Sequence, residues 1–275
     1  MSTGVARVSA RSTVDALLTV PHRFFIPPAW LTPPTVSLSG ETARQIQTVL
    51  RLQPGDEIIV LDNSGLEWQV RLTELRKGEV QGQIIGQQVV PNEPALALTL
   101  YQGMLKAEKF EWVLQKGTEL GVSRFVPTLC HRSVGGPGGA HKQARWERII
   151  REAAEQSRRG KLPSLEPAIP LAAAIQQASR LTQPAPLLLM PWEEASGLTL
   201  KMALAETHPP AVGVFIGPEG GFTPAEAALA REAGIRLVTL GPRILRAETA
   251  AVAVCAAIMY EVDEWMSNKI DCKQN

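Results

Sequence analysis

The chain has 275 residues, 45% of them hydrophobic and 20% charged, and its 28 lysines and arginines against 27 aspartates and glutamates leave a formal net charge of +1. A chain of this length holds about two domains and buries about three quarters of its unfolded surface, which excludes disulfide-stapled miniproteins and disordered tails. Neutrality excludes a globally basic nucleic-acid coat, so any such partner must meet a local patch.

The first twenty residues contain no apolar run ending in a small-residue cleavage site, so residues 1–21 read as a flexible extension rather than a secretory signal. From Arg23 to about Val90 the apolar residues mostly alternate. This predicts strands over Arg23–Ile26, Thr35–Leu38, Glu57–Leu61, Glu67–Leu75 and Val80–Ile85, with turns at Pro54-Gly55-Asp56 and Asp62-Asn63-Ser64-Gly65. One helix interrupts at Glu41–Leu50, with Ala43, Ile46, Val49 and Leu50 on its apolar face. Residues 22–92 therefore read as a small β-barrel or half-barrel domain.

Pro91-Asn92-Glu93-Pro94 reads as a linker, because its prolines lack a donor and hold their predecessors extended. Beyond it, strands are predicted at Leu96–Gln102, Arg124–Leu129, Leu187–Met190, Val212–Ile216 and Arg236–Leu240. Helices are predicted at Ala107–Leu120, Lys142–Ser157, Leu171–Leu181, Leu198–Glu206, Pro224–Ala233 and Ala247–Glu264. That alternation over 95–267 implies an α/β domain whose parallel sheet is covered on both faces, followed by a tail at 268–275. Thr223-Pro224-Ala225-Glu226 is a capping box. The 142–157 helix carries Trp146, Ile149, Ile150, Ala153 and Ala154 on one stripe. Ala250–Met259 is apolar nearly all round, which predicts burial on most sides and invites a subunit partner.

Val214-Phe215-Ile216-Gly217-Pro218-Glu219-Gly220-Gly221-Phe222-Thr223 runs from a buried strand through three glycines into a capped helix. The carboxyl end of a parallel strand is where α/β sheets place ligands, and glycines let a ligand reach the backbone. An ordinary glycine-rich turn is the alternative. The loop is neither a Walker loop, having no Lys-Ser/Thr after its last glycine, nor a G-x-G-x-x-G fingerprint. Thr239-Leu240-Gly241-Pro242-Arg243-Ile244-Leu245-Arg246 is a second strand-end loop, entering a helix whose first turn holds Glu248 and Thr249. The two loops together can wall one pocket with Arg243 and Arg246 at its rim; in the plainer reading Glu248 only complements the helix dipole and pairs with Arg246.

Between His141 and Lys161 seven basic residues outnumber three glutamates. Arg148/Glu152 and Arg151/Glu155 stand four apart and can pair as a solvated face, whereas Arg158-Arg159-Gly160-Lys161 has no obvious partners. With Arg132 and the mobile glycine-rich loop at 135–139, this forms a candidate phosphate-contacting surface. His22, His131, His141 and His208 are scattered, so no metal site is expected, and no hydrolase, zinc-protease or deaminase signature occurs. Cys130, Cys255 and Cys272 lie far apart and read as free thiols in a reducing cytosol. No apolar run approaches the ~18 residues of a membrane span.

Taken in order, Arg23-Phe24-Phe25, Val49-Leu50-Arg51, Pro54-Gly55-Asp56, Lys109 through Gln115-Lys116-Gly117-Thr118-Glu119-Leu120-Gly121-Val122, Glu155-Gln156-Ser157, Gly217 to Gly221 and Leu240 to Arg246 with Glu248-Thr249-Ala250 resemble one family. It is the bacterial 16S ribosomal RNA uridine-N3 methyltransferases of the SPOUT superfamily. The chain departs from that family's pattern at Gln45, where histidine is usual, and at Arg158, where glycine is frequent. The resemblance implies a PUA-like N-terminal barrel, a C-terminal SPOUT sheet with a trefoil knot, a homodimer packed through knot helices, and a cytoplasmic enzyme acting on 16S ribosomal RNA or the small subunit without a metal. It implies S-adenosylmethionine held by Gly217, Pro218, Glu219, Gly220, Gly221, Leu240, Gly241, Ile244 and Leu245, with Leu189 in a third wall. Arg246, Glu248 and Thr249 become the candidate catalytic residues, and Arg23, Arg51, Arg132, Arg158, Arg159 and Lys161 the candidate RNA contacts. Readings from other classes are a catalytically silent RNA-binding or ribosome-assembly protein, and a phosphometabolite enzyme, which would lack its expected lysine.

Overall fold

The computed structural model describes residues 21–137, 139–181, 185–205, 209–262 and 264. Residues 1–20 of the predicted N-terminal extension, the tail at 268–275, Cys272 and His208 lie outside them. The described residues up to Asp62 form one compact unit with Leu66–Gln88, while Asn63–Gly65 and the described residues from Val89 onward form a second.

In the first unit the strands are β1 (His22–Phe25), β2 (Leu31–Thr32), β3 (Thr35–Ser39), β4 (Glu57–Leu61), β5 (Leu66–Arg76) and β6 (Glu79–Val89), in the order β1-β4-β5-β6-β3-β2. Alternation puts Val36, Leu38, Ile58, Val60, Val70, Leu72 and Val80 into one core with Phe24 and Ile46. The pairs β4/β5 and β3/β6 are antiparallel, but β1 lies parallel to β4, a pairing that alternation alone does not reveal. The predicted helix is α1 (Gly40–Arg44) continued by a π turn over Gln45–Val49. That wider turn rotates Val49 off the apolar face, leaving it 67% exposed.

The second unit contains β7 (Ala97–Gly103), α2 (Ala107–Glu119), β8 (Arg124–Leu129), α3 (Ala140–Gln156), β9 (Ser164–Leu165), β10 (Ile169–Pro170), α4 (Leu171–Ser179), β11 (Leu187–Pro191), α5 (Leu200–Ala205), β12 (Ala211–Ile216), α6 (Pro224–Glu232), β13 (Arg236–Val238) and α7 (Ala247–Glu261). All the pairings of its sheet are parallel, in the order β10-β8-β7-β12-β11-β13 with β9 beside β8. Strands β2, β9 and β10 escape sequence reading because two residues cannot show a period. Val212, Val214 and Ile216 of β12 face a core shared with α2 and α7 (Phe110, Val113, Leu114, Val254, Ile258). Phe215 faces the opposite core with Leu171, Ile175 and Ala230, stacked on Tyr101 at 4.2 Å.

A single copy of the chain buries only one side of α7, through Ala251, Val254, Cys255, Ile258 and Met259. Thr249, Ala253, Ala257 and Tyr260 are exposed, so burial on most sides is not met among the described residues. Burial pushes the Cys130 thiol up to about 11 and the Cys255 thiol up to about 12, so both are protonated at neutral pH.

Three helices end alike. After α2, Val122 N–H reaches Gly117 O and Gly121 N–H reaches Thr118 O, and Gly121 has φ +95°; α6 repeats this with Gly234 at +84°. At the end of α3 the same two bonds form, Arg159 to Ala154 and Arg158 to Glu155, but Arg158 takes the left-handed position at +60°. A Cβ is strained there by about 1 kcal/mol. Arg158→Gly should therefore raise unfolding free energy by about that amount, measured by urea denaturation; equal or lower stability would contradict the cap assignment.

Candidate active site

β12 is buried along its whole length and delivers Gly217–Phe222 to the carboxyl edge of the sheet. The loop turns back through a Gly221 N–H to Pro218 O bond (2.9 Å) and lies directly over the end of β7. There Gly103 is required: a Cβ on it would fall 2.5 Å from Pro218 N and 2.8 Å from Gly217 C. Gln102, buried at the same strand end, donates from Nε2 to Gly103 O (3.0 Å) and to Gly217 O (3.4 Å). Past the loop, Thr223 caps α6, with Thr223 Oγ1 accepting from Glu226 N–H and Glu226 Oε2 accepting from Thr223 N–H. The second oxygen of Glu226 accepts from His131 N–H (2.8 Å), which ties the segment after β8 to this helix start.

β13 stops at Val238 rather than Leu240, because Thr239 leaves it to bridge Thr199 and opens the second loop. Thr239–Leu245, Ile216–Phe222 and Pro191–Glu193 line a cavity of about 320 Å³, a size suited to a small ligand. All the predicted cofactor residues of the two loops line it. Leu189 does not: it is fully buried in the core, because the side chains of β11 alternate into the two cores and only its end reaches the pocket. The third wall is Pro191, Trp192 and Glu193. Gly221 sits at φ +68°, a left-handed conformation that favours glycine, and a Cβ there would meet the flexible end of the Glu193 side chain, 2.8 Å from its Oε1.

Arg246 is exposed at the N-cap of α7, and Thr249 is exposed one turn on. Glu248 is paired with Lys109 of α2 (3.2 Å) rather than with Arg246. Burial pushes its carboxyl up, but its own backbone N–H, the Lys109 ammonium and the Arg246 charge outweigh this and hold it below the usual carboxylate range. Such a carboxylate is a poor proton acceptor.

The candidate RNA contacts divide. Arg51, Arg132, Arg158 and Lys161 are exposed, and Arg132 donates from Nη1 to Gly220 O (2.8 Å). Arg23 is buried against Glu67 (2.6 Å), so its charge is not on the surface. Arg159 is 3% exposed: it pairs with Glu93 (2.5 Å) and donates from Nη1 to the carbonyls of Val122 (2.6 Å) and Thr118 (3.2 Å) at the end of α2. It is a structural residue, and its partner lies in the linker 66 residues away, beyond the reach of local patterning. On α3, Arg148 pairs with Glu152 (3.7 Å), Arg145 with Glu111 (2.7 Å), and Lys142 covers the Trp146 ring. Among the described residues no three metal-binding side chains cluster, and no helix is long and apolar enough to cross a membrane.

Two family models match the chain: an RNA methyltransferase domain over residues 91–259 and an RNA methyltransferase PUA domain over residues 38–85. The chain is 33% identical over 238 residues to ribosomal RNA small subunit methyltransferase E of Bacillus subtilis, covering 84% of this chain and 91% of that one. It belongs to the ribosomal RNA small subunit methyltransferase E family. Its relative from Synechocystis is 36% identical, with 86% and 77% of the two chains covered. The crystal structure of the family member from Neisseria gonorrhoeae, bound to S-adenosyl methionine, superposes with a TM-score of 0.78 at 32% identity, covering 88% of this chain and 98% of that one. Sequence reading missed Gly103, Gln102 and the Trp192-Glu193 wall, and named Lys109 only as the start of a family motif, with no role in the site. Gly103 carried only the weak signal of a glycine closing a strand.

Proposed function

We propose that the protein transfers the methyl group of S-adenosylmethionine to N3 of a specific uridine in 16S ribosomal RNA of the small subunit. The observation that carries this is the pocket formed by Gly217–Phe222 and Thr239–Leu245, in a chain of this family. The residues suit the cofactor: two backbone-rich walls for an adenosine, a cradle at Gly221 that a Cβ would fill, and the carboxylate of Glu193 for a positive charge. When bound, S-adenosylmethionine supplies a methyl group made electrophilic by its sulfonium. In this reading no metal takes part.

The chain's own task is to hold the acceptor in line and to help N3 lose its proton. Arg246, exposed beside the pocket, stabilises the uridine anion as N3–H gives up its proton to solvent water. Thr249 hydrogen-bonds the base, while Glu248 remains an anion beside Arg246 rather than taking the proton. N3 lies on the Watson–Crick edge, so the uridine enters unpaired or flipped out. The PUA-like domain over 22–92 and exposed Arg51, Arg132, Arg158 and Lys161 hold backbone, and the domain over 95–267 carries the chemistry. The exposed face of α7 at Ala253, Ala257 and Tyr260 pairs with a second copy in a homodimer, and the return of the chain from β13 to α7 closes the trefoil knot.

Labelled S-adenosylmethionine incubated with undermodified small subunits tests this. One uridine should gain a methyl that blocks its Watson–Crick edge, and Arg246→Ala should lower the rate about 100-fold. Tight subunit binding without methyl incorporation would instead support the catalytically silent RNA-binding protein.

A further inference from the structure

Lys109 stands in the first turn of α2, outside the residues that line the pocket, yet it touches both of the pocket's main loops' supports. Its ammonium lies 3.2 Å from Oε1 of Glu248, at the start of α7 where the second loop ends, and 3.9 Å from Oε1 of Glu219, in the middle of the glycine loop. Glu219 is held on the same side by the Lys106 N–H (3.2 Å). The other oxygen of Glu248 is buried and has no partner among the described residues, so Lys109 is the cation on which that carboxylate depends most directly. The Glu219 and Glu248 side chains are only 23% and 16% exposed, which limits screening by water.

We propose that Lys109 is a positioning residue for the cofactor, clamping the glycine loop to the start of α7 through one carboxylate from each. Without its charge, two carboxylates converge on a partly dry site with no cation between them, and their repulsion pushes the two loops off the spacing that the ligand needs. Lys109 touches neither reacting atom, so its loss should appear in cofactor affinity and not in the chemical step. The inference rests on the reading of this pocket as the S-adenosylmethionine site.

The test compares wild type, Lys109→Met, Lys109→Arg, Glu219→Gln and the double variant Lys109→Met/Glu219→Gln. Each is checked by thermal melting, titrated with S-adenosylmethionine by calorimetry, and assayed for methyl transfer. Lys109→Met should raise Kd and KM for S-adenosylmethionine about tenfold while kcat stays within about twofold. Lys109→Arg should recover most of the affinity by restoring the charge. The double variant should bind more tightly than Lys109→Met because the repulsion is gone, with Glu219→Gln alone as the reference that completes the cycle. Wild-type affinity in Lys109→Met, or a folded double variant no better than the single one, overturns the clamp. If Lys109→Met does not fold, the decision passes to Lys109→Arg: no binding of S-adenosylmethionine by that variant when folded overturns the clamp. A wild-type protein that does not bind S-adenosylmethionine sinks the pocket reading itself, a result distinct from normal wild-type binding with an indifferent Lys109 series.

Discussion

Gly103→Ala should weaken S-adenosylmethionine binding about 100-fold, or ~2.7 kcal/mol, while leaving a folded protein. The added methyl would sit 2.5 Å from Pro218 N and 2.8 Å from Gly217 C, both backbone atoms of the cofactor loop, so the loop itself must move. β7 itself resists yielding, because Thr99–Gly103 pair with β8 and Ala97–Gln102 with β12. Gly220→Ala is the control. Its Cβ would meet the Arg132 side chain at 2.9 Å, on an exposed segment that can shift, so the loss there should be smaller. Calorimetry on the two variants, with melting curves to confirm folding, decides the matter; equal losses would mean that the strand end does not hold the loop.

Arg159→Ala should destabilise the second unit by about 3–5 kcal/mol, read from urea denaturation. Its guanidinium satisfies the Thr118 and Val122 carbonyls at the end of α2 and the Glu93 carboxylate in the linker. Glu93 also accepts from the N–H groups of Gly160 (3.0 Å) and Lys161 (3.2 Å). Removing Arg159 strands a carboxylate that is 18% exposed and two carbonyls at a helix end. Arg159→Lys should recover little, because one ammonium cannot reproduce a planar fork to three acceptors. Arg158→Ala and Lys161→Ala, which remove exposed side chains, should leave stability within about 1 kcal/mol of wild type. A similar small loss for Arg159→Ala would return it to the surface RNA contacts.

These expectations separate two kinds of information. The alternation of β4 and β5, the stripe on α3 and the all-apolar β12 are local patterns, and the elements lie within a few residues of their predicted bounds. The capping box at Thr223 also forms as read, because its donors and acceptors lie three residues apart. The π turn at Gln45–Val49 and the parallel β1/β4 pair were not legible, since each is chosen by packing in the first unit's core. Arg158 is intermediate: the resemblance expects glycine there, and the structure supplies the reason, a left-handed φ at the end of α3.

At the site, composition along the chain was enough to place two glycine-bearing loops at the carboxyl ends of parallel strands, since strand, loop and helix start are contiguous. Which residues complete the pocket was decided by the packed sheet. Gly103 enters because β7 lies beside β12, Trp192 and Glu193 enter because β11 ends between β12 and β13, and Lys109 meets Glu248 because α2 packs against α7. Charge shows the same limit. A count of 28 against 27 cannot reveal that Arg159 and Arg23 are spent inside the protein while Arg132, Arg158 and Lys161 remain on its surface. Burial is a property of neighbours brought from distant parts of the chain, and only the folded structure sets which charges water can reach.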